Sequence, residues 1–352
     1  MNPDERQLDY PFGDALPQPG TAREVAPGVR WLRMPLPFAL DHINLWLLRD
    51  RDEAGHEGWS IVDCGISSDS TRAAWEQVFA NELQGLPVLR VIVTHMHPDH
   101  IGLAHWLTER WGVRLWISAT DFNAARLASQ STTGFGGESA AAFMASHGLT
   151  DPDAVEKVRR RSNYYASMVP QVPSRFRRLM DGDVLRIGDH AWRCHAGYGH
   201  APEHISLHCE ALGVLISGDM VLPRISTNVS VIDLEPEANP LPLYLASIER
   251  MRALPAGTLV LPSHGRPFRG LHARIGQLVA HHDERFADLR AACVQAPQTA
   301  ASLLPVLFRR PLDLHQTTFA MGESIAHLHA LWLRGQLRRE LGADGVYRFS
   351  PA

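Results

Sequence analysis

Four potential metal ligands lie within six residues of this chain, directly after an apolar run that is typical of a buried β-strand. The run is Val91-Ile-Val, and the ligands that follow it are His95, His97, Asp99 and His100. A metal ion needs several lone pairs that converge at about 2.0–2.2 Å, so its ligands must crowd together at one point of the fold. A strand end followed by a tight turn provides that crowding. The motif therefore predicts a metal site where this strand ends.

The spacing of the four ligands suggests two neighbouring ions. His95 and His97 are two residues apart in an extended stretch, so their side chains point to the same side. Asp99 and His100 follow Pro98 at a predicted helix start and turn toward a second ion. The alternative is a polar loop with chance histidines, and the Val-Ile-Val strand before the motif argues against it.

The spacing of the apolar segments predicts an α/β fold. The 352 residues allow one large domain and a smaller one. Two blocks of short β-rich runs are flanked by helical spacing, which predicts two sheets packed face to face with helices outside, an αββα sandwich. Predicted strands cover residues 29–35, 42–48, 59–63, 89–94, 114–118, 184–187, 191–195, 205–210, 214–217 and 258–261, and predicted helices cover 69–83, 98–111, 240–254 and 271–294.

Two segments lie outside this pattern. Residues 121–178 are predicted to form a helical insertion with three helices, which include 140–147 and 152–168. Residues 297–352 are predicted to form helices at 300–308 and 321–341 and a strand at 345–349, an order that resembles a small winged-helix module. We therefore expect a catalytic domain at 1–296 and a winged-helix-like C-terminal module at 297–352.

The HxHxDH pattern after an apolar strand resembles the signature of the metallo-β-lactamase superfamily, and the resemblance extends over about residues 25–290. It implies the αββα sandwich of that family. Upstream, Asp63 matches the family's strand-ending aspartate, which implies that it supports the site from behind the ligands. Downstream, the resemblance implies three further ligands, which are His200 in a Gly-His segment, Asp219 in a Gly-Asp segment and His264 in a Ser-His-Gly segment.

A dinuclear centre follows from this resemblance. The first ion would take His95, His97, His200 and Asp219, and the second would take Asp99, His100, His264 and the shared Asp219. Zinc is the expected divalent metal, with iron and manganese as alternatives. A water molecule that bridges two such ions is deprotonated near neutral pH, so we expect hydrolysis by a metal-bridging hydroxide. Asp99 is the expected catalytic side chain, which orients the water and passes a proton to the leaving group.

A bridging Asp219 resembles the glyoxalase II and lactonase branches rather than true β-lactamases. The expected substrate is therefore a carboxylic ester, thioester or lactone of a small molecule. Two alternatives stay open, an endoribonuclease or other phosphodiesterase with a winged-helix tail and a non-catalytic sensor with the same fold. The net charge of −4 argues against a dedicated nucleic-acid binder, although nucleic acid stays open as a partner.

A basic stretch within the insertion suggests where a substrate binds. Residues 157–178 contain seven basic residues and no acidic residue, with aromatic side chains between them. As a lid over the metal ions, this stretch would suit an anionic substrate, with Arg159, Tyr164 and Tyr165 as contacts. The alternative interpretation is a solvated helical face. His42, on an early hairpin, is a further candidate substrate contact.

Nothing in the sequence indicates a membrane or a secreted protein. There is no run of about 18 apolar residues that could span a bilayer, and the first residues lack the apolar core of a secretory signal. The cysteines Cys64, Cys194, Cys209 and Cys293 have no CxxC spacing, which is typical of reduced thiols. We expect a cytoplasmic protein without a membrane partner, and a homo-oligomer stays open.

Overall fold

Two β-sheets lie face to face at the centre of the fold in the computed structural model, which describes residues 5–130 and 136–352. The larger sheet has seven strands in sequence order, which are β1 (Ala22–Ala26), β2 (Val29–Pro35), β3 (His42–Arg51), β4 (Glu57–Val62), β5 (Val88–Ile92), β6 (Leu115–Ser118) and β7 (Phe176–Leu179). The smaller sheet has five strands, which in chain order are β8 (Val184–Ile187), β9 (His190–Gly197), β10 (His204–Cys209), β11 (Val214–Gly218) and β12 (Leu259–Pro262). Their spatial order is the reverse of their chain order, with β12 at one edge.

Helices cover the outer face of each sheet. The helices are α1 (Asp69–Asn81), α2 (Pro98–Ile101), α3 (Ala104–Trp111), α4 (Ala119–Ala128), α5 (Gly137–Ser146), α6 (Pro152–Arg159), α7 (Tyr164–Met168), α8 (Pro240–Arg250), α9 (Leu271–Gln295), α10 (Leu304–Leu307) and α11 (Leu314–Leu333). Side chains of α1, α3 and α4 share one apolar cluster with the larger sheet, and those of α8, α9 and α11 share another with the smaller sheet. The predicted αββα sandwich is confirmed.

Large aromatic side chains fill the space between the sheets. Trp31 and Trp46 from the larger sheet and Trp192 from the smaller sheet are each at most 1 % exposed. The rings of Trp31 and Trp46 stack with their centroids 6.5 Å apart. A fully buried large side chain stabilises the fold by about 1.5–3 kcal/mol. Because the middle of β3 is covered on both faces, residues 45–48 form a continuous apolar run rather than an alternating pattern.

The predicted single helix at 98–111 is wrong, because the helix is interrupted between α2 and α3. The backbone N–H of Leu103 donates to the carbonyl of Gly65 at 3.1 Å rather than to the preceding helical turn. A Cβ atom on Gly102 would lie 2.6 Å from the backbone nitrogen of Ser67. The break therefore lets the loop after β4 approach the metal-binding motif closely.

The insertion also differs from its prediction. The single helix predicted at 152–168 is wrong, because residues 160–163 separate α6 from α7. Two of them, Ser162 and Asn163, belong to the residue types that favour turns and helix ends over helix interiors. The end of the insertion forms β7, which pairs parallel with β6 and was not predicted. Residues 131–135 of the predicted insertion lie outside the described residues.

The C-terminal segment packs against α8 and α9. The helix predicted at 321–341 is wrong at its end, because α11 is followed by Gly335 in the left-handed region (φ 70°), which terminates it. The residues that follow form β13 (Leu337–Leu341), which pairs with β14 (Tyr347–Pro351). The helix predicted at 300–308 is shorter and is limited to α10. Phe349 lies in the same apolar cluster as Leu289 of α9, so the core continues across residue 296, and the domain boundary there stays a prediction.

None of the helices in the described ranges combines the length and the apolar character needed to cross a bilayer. All four cysteines are buried and unpaired.

Candidate metal centre

The predicted ligands lie in loops and in the short helix α2, at one edge of the two sheets. β4 and β5 are parallel neighbours, so Asp63 and His95 follow their ends at the same edge. In the smaller sheet, β11 and β12 are also parallel neighbours, and Asp219 and His264 follow their ends. Carboxyl ends of adjacent parallel strands form a crevice where loops meet, which is the usual ligand-binding position in α/β sheets. The topology therefore brings together segments that are distant in sequence.

Three imidazoles form the first cluster. The Nε2 atom of His95 lies 2.9 Å from Nδ1 of His97 and 3.2 Å from Nε2 of His200, and the last two atoms are 3.0 Å apart. Bonds of about 2.0–2.1 Å to a tetrahedral zinc ion place ligand nitrogens about 3.3 Å apart. The triangle of nitrogens is thus close to the size that one metal ion requires.

A glycine makes the position of His200 possible. Gly199 has a φ of 99°, and a Cβ atom there would lie 2.4 Å from the carbonyl oxygen of Pro240. Any other residue would push the β9–β10 loop away from α8, and His200 would move with it.

The second cluster contains Asp99, His100 and His264. The Nε2 atom of His264 lies 3.3 Å from Oδ2 of Asp99, and Nε2 of His100 lies 3.6 Å from the same oxygen. Their ligand atoms all lie within 4.8 Å of one another.

Asp219 reaches both clusters, with one carboxylate oxygen directed to each. Its Oδ2 lies 3.2 Å from Nε2 of His200, in the first cluster. Its Oδ1 lies 3.5 Å from Nε2 of His264 and 3.6 Å from Nε2 of His100, in the second cluster. This is the geometry of a carboxylate that can bridge two ions.

Hydrogen bonds at the far side of the rings fix which nitrogen faces each cluster. Nδ1 of His200 donates to the carbonyl of Asn228 at 2.7 Å, and Nδ1 of His264 donates to the carbonyl of His42 at 2.8 Å. The Nε2 lone pair of each ring is therefore directed into the site. Such partners are typical of metal-binding histidines, because they hold both the tautomer and the ring orientation.

Asp63 lies beneath the clusters and holds His100. Its Oδ2 accepts a hydrogen bond from Nδ1 of His100 at 2.8 Å, and its Oδ1 accepts one from the backbone N–H of Thr94 at 2.8 Å. Asp63 adopts a φ of 62°, in the left-handed region that aspartate tolerates better than most residues. This turn directs the carboxylate at the metal-binding loop.

The electrostatics of the two clusters differ. Burial lowers the pKa of His97 to about 3, and the neighbouring His200 adds to that effect, so the ring is neutral and can donate a lone pair. In the second cluster, burial opposes protonation of His264, but Asp219 and Asp99 outweigh it and raise the pKa to about 10. Buried carboxylates without enough positive charge around them are costly, and a divalent cation would supply that charge.

The residues present fit divalent metal ions. Nε2 of His100 and Oδ1 of Asp219 are buried and have no hydrogen-bond partner within residues 5–130 and 136–352. Buried polar atoms in folded proteins nearly always have a hydrogen-bond partner or a metal ion beside them. Two neighbouring buried atoms without a partner therefore indicate that a bound ion is their partner. The donor set of imidazole nitrogens and carboxylate oxygens suits zinc, iron and manganese alike.

Asp121 supports the first cluster, and the sequence analysis did not identify it. Its carboxylate accepts hydrogen bonds from the backbone N–H of Met96 at 2.8 Å and of Glu203 at 2.6 Å. Met96 lies between His95 and His97, and Glu203 belongs to the loop that carries His200. Burial raises the pKa of Asp121 to about 6 in spite of these hydrogen bonds. No local motif marks the residue, because its partners come from loops far away in sequence.

We expect the Asp121→Ala substitution to destabilise the fold by about 2–5 kcal/mol, because it leaves the buried backbone N–H of Met96 and the partly buried N–H of Glu203 without an acceptor. It should also weaken metal binding by about 10- to 100-fold, as loss of a supporting residue does at other metal sites. Chemical denaturation and competition with a chelator measure the two effects. Glu203→Ala is the matched control, since that carboxylate is partly exposed and bonds only to Thr120 among the described residues. An Asp121→Ala protein with unchanged stability and metal affinity would contradict this role.

A large cavity opens above the clusters. It has a volume of about 1060 Å³, and His97, Asp99, His200, Asp219 and His264 form part of its lining. The insertion contributes lining residues from α4, α5 and α7, and the C-terminal segment contributes them from α11. Most of the remaining lining is apolar and includes Phe38, Phe143 and Phe319.

The four side chains that the sequence suggested as substrate contacts occupy different places. Tyr164 lies on the cavity lining. Tyr165 is buried below it, where its hydroxyl donates to the carbonyl of Met96. Arg159 lies on the surface with Glu156 and Glu138 as ion-pair partners.

His42 lies beside the metal centre. Its Nε2 accepts a hydrogen bond from the backbone N–H of Gly265 at 2.9 Å, and its Nδ1 lies 2.6 Å from Oδ1 of Asp41. With its carbonyl bonded to His264, the residue supports that ligand. Of the basic stretch at 157–178, Arg161 is the residue that lines the cavity.

Two family profiles match the chain. The profile described as the Metallo-beta-lactamase superfamily matches residues 39–264, which include all seven predicted ligands. The profile described as Metallo-beta-lactamase-like, C-terminal domain matches residues 286–352.

Individual proteins are similar over most of the chain. A solved structure of a beta-lactamase domain protein from Burkholderia ambifaria is 58% identical, with each chain covered to 100% and a TM-score of 0.94. The probable metallo-hydrolase YqjP of Bacillus subtilis is 25% identical over 311 residues, which are 85% of this chain and 91% of that protein. The acyl-coenzyme A thioesterase MBLAC2 of Gallus gallus is 27% identical over 249 residues, 68% of this chain and 79% of that protein.

Proposed function

The chain belongs to the metallo-β-lactamase superfamily of metal-dependent hydrolases, and from that premise we propose that it is a dinuclear hydrolase of carboxylic thioesters or esters with a large apolar acyl group. The observation that carries the proposal is Asp219, whose two oxygens are directed to two clusters of ligands at the base of an apolar cavity. The glyoxalase II-like or lactonase-like branch stays a prediction.

The chain supplies the groups that such a hydrolysis needs. Divalent ions bound at the two clusters would make water acidic enough to attack at neutral pH and would polarise the substrate carbonyl. Asp99 lines the cavity and is bonded to His264 in the second cluster. Burial alone would raise the pKa of Asp99, but His100 and His264 lower it below its ordinary value, so the carboxylate stays an acceptor. It can therefore hold the attacking water and carry the released proton to the leaving group.

The cavity supports an apolar acyl group. Each methylene that leaves water contributes about 0.8 kcal/mol, so an acyl chain of about eight carbons would gain about 6 kcal/mol before the cost of ordering it. A volume of about 1060 Å³ exceeds the needs of a small lactone. The similarity to a protein named as an acyl-coenzyme A thioesterase favours a thioester over an oxygen ester.

Two further features bear on the alternatives. Residues of α11 line the cavity, so one face of the C-terminal segment lies against it. This favours a role of the C-terminal segment in substrate binding over a role as a separate nucleic-acid module. The buried thiols suit a reducing compartment, and we keep the cytoplasm as the proposed location.

A substrate panel tests the proposal. Protein with measured zinc, iron and manganese content is assayed against palmitoyl and acetyl thioesters, nitrophenyl esters, lactones and labelled RNA. We expect hydrolysis of the palmitoyl thioester that is lost with a chelator and restored by metal. Cleavage of RNA alone would establish the endoribonuclease alternative, and a metal-free protein without any turnover would favour the sensor.

The acyl site makes a prediction about chain length. Ala124 lies half-buried on α4 and lines the cavity. We expect Ala124→Phe to raise the KM of a palmitoyl thioester by about 10-fold, because the ring would exclude about two methylenes. The KM of an acetyl thioester should stay the same. Asn123→Phe, one residue away on the exposed side of α4, is the matched control. An equal change in KM for both chain lengths would contradict an acyl site at α4.

A further inference from the structure

We propose that Arg161 binds an anionic group, a phosphate or a carboxylate, on the leaving group of the substrate. The inference rests on the proposed function, since it places the two halves of a thioester at different parts of the same cavity. Arg161 would bind the leaving group, whereas the apolar lining would bind the acyl group.

The three consecutive arginines of the insertion differ in their partners. Arg159 and Arg160 are exposed, and both form ion pairs with Glu156 at 2.7 Å. Arg161 is half-buried, lines the cavity and forms no ion pair within residues 5–130 and 136–352. Toward the part of the chain that the structure describes, its guanidinium donates one hydrogen bond, from Nη1 to Oγ1 of Thr318 at 3.2 Å. A guanidinium has five donors, so most of its hydrogen-bonding capacity remains for a ligand.

The chain holds Arg161 at a defined position. A Cβ atom on Gly136 would lie 2.4 Å from the carbonyl oxygen of Arg161, so the backbone is packed closely there. The Cζ atom lies 5.7 Å from the centre of the Tyr164 ring, and Thr318 of α11 contacts the guanidinium from the opposite segment. A charge that is partly removed from water and held by neutral groups is stabilised by an anion.

The surroundings indicate which part of the substrate would carry that anion. Helix α7, which begins with Tyr164, packs against α2, which carries Asp99, so Arg161 beside the Tyr164 ring lies on the Asp99 side of the cavity. Asp99 would protonate the leaving group, which therefore departs toward Tyr164 and Arg161. Next to them, Phe38 stacks on His315 with ring centroids 5.5 Å apart and an angle of 9°.

Two charged residues of the C-terminal segment bear on Arg161, and each already has another partner. Asp313 is close enough to act on the guanidinium, but its carboxylate accepts the backbone N–H of Gln316 at 2.8 Å and caps α11. Arg310 also lines the cavity, and its Nη1 donates to the side chain of Gln316 at 2.7 Å. A second cation on the same lining adds to the attraction for an anion.

The test compares three palmitoyl thioesters that share the acyl group and differ in the thiol. Coenzyme A carries phosphates, glutathione carries carboxylates and N-acetylcysteamine is neutral. We expect Arg161→Ala to raise the KM of the anionic thioesters by about 10- to 100-fold and to leave that of the neutral one within about 2-fold. The larger of the two anionic effects identifies phosphate or carboxylate. Arg160→Ala is the matched control and should change none of the three values.

An equal effect of Arg161→Ala on neutral and anionic thioesters would overturn the inference, and so would no effect on any of them. If the wild-type protein hydrolyses no thioester, the proposed function fails, and binding then tests Arg161 separately. Calorimetry with the unreactive thioethers S-hexadecyl coenzyme A and S-hexadecyl glutathione should give at least one anionic ligand that binds about 10-fold more weakly to Arg161→Ala. Equal affinities of both proteins for both ligands would overturn the inference. Arg161→Gln, which removes the charge and keeps a polar side chain, replaces the alanine variant if that protein does not fold.

Discussion

Replacing Asp219 with asparagine is expected to remove metal from both clusters and to lower kcat by about 10³-fold or more. The carboxylate has one oxygen within 3.2 Å of His200 in the first cluster and the other within 3.5 Å of His264 in the second. An asparagine keeps the shape but has one acceptor oxygen and no charge, so it cannot serve two cations. Metal content by plasma mass spectrometry and turnover of a palmitoyl thioester are measured on the same preparation.

Asp189→Asn is the control for this substitution. Asp189 is exposed and pairs with Arg51 at 2.8 Å, and an exposed ion pair contributes little to stability. The control protein should keep its metal and its kcat. If Asp219→Asn retained about two ions per chain and the wild-type kcat, the shared site would be refuted.

The second large effect is expected at Asp99. Asp99→Asn should lower kcat by about 10³-fold, because the side chain that holds the water and moves the proton is lost and the second cluster loses a ligand. The first cluster does not use Asp99, so the variant should keep the ion held by His95, His97 and His200, and it should keep its fold. Steady-state kinetics, metal analysis and circular dichroism on one sample separate these effects. A fall in kcat with a nearly unchanged KM is the result that a catalytic role predicts.

Asp153→Asn on α6 provides the comparison for Asp99, since it removes one exposed acid from the insertion without touching the cavity lining. Its kcat should match that of the wild type. A wild-type kcat in Asp99→Asn would contradict the role of Asp99 in proton transfer, whatever its metal content.

The ligands could be predicted because each follows a strand end within a short motif. The ligands His95, Asp219 and His264 come shortly after the ends of β5, β11 and β12, and the supporting Asp63 comes directly after β4. Parallel pairing then brings these residues to one edge. The αββα sandwich could be predicted for a similar reason, since apolar runs at strand and helix spacing are local properties of the sequence.

The features that could not be predicted depend on contacts between distant segments. Asp121 bonds to Met96 and to Glu203, and neither partner is near it in sequence. Arg161 rather than Arg159 lines the cavity because α6 ends at Arg159 and the chain beyond it brings the Arg161 side chain to α11. Spacing alone spreads successive arginines around a helix and cannot tell which of them faces a cavity.

The same explanation applies to the errors in the helices. The break between α2 and α3 exists because Gly65 accepts a hydrogen bond from Leu103, and that contact crosses from one loop to another. The end of α11 does carry a local signal, since Gly335 is a typical helix-terminating residue, but the apolar spacing continues beyond it and predicts a longer helix.

The most direct test of the two-metal site is anomalous diffraction from crystals of the metal-loaded protein. We expect two anomalous peaks about 3.5–4 Å apart, one between His95, His97 and His200 and the other between Asp99, His100 and His264, with Asp219 in contact with both. A map without a peak at either cluster, from protein that still hydrolyses its substrate, would contradict the account.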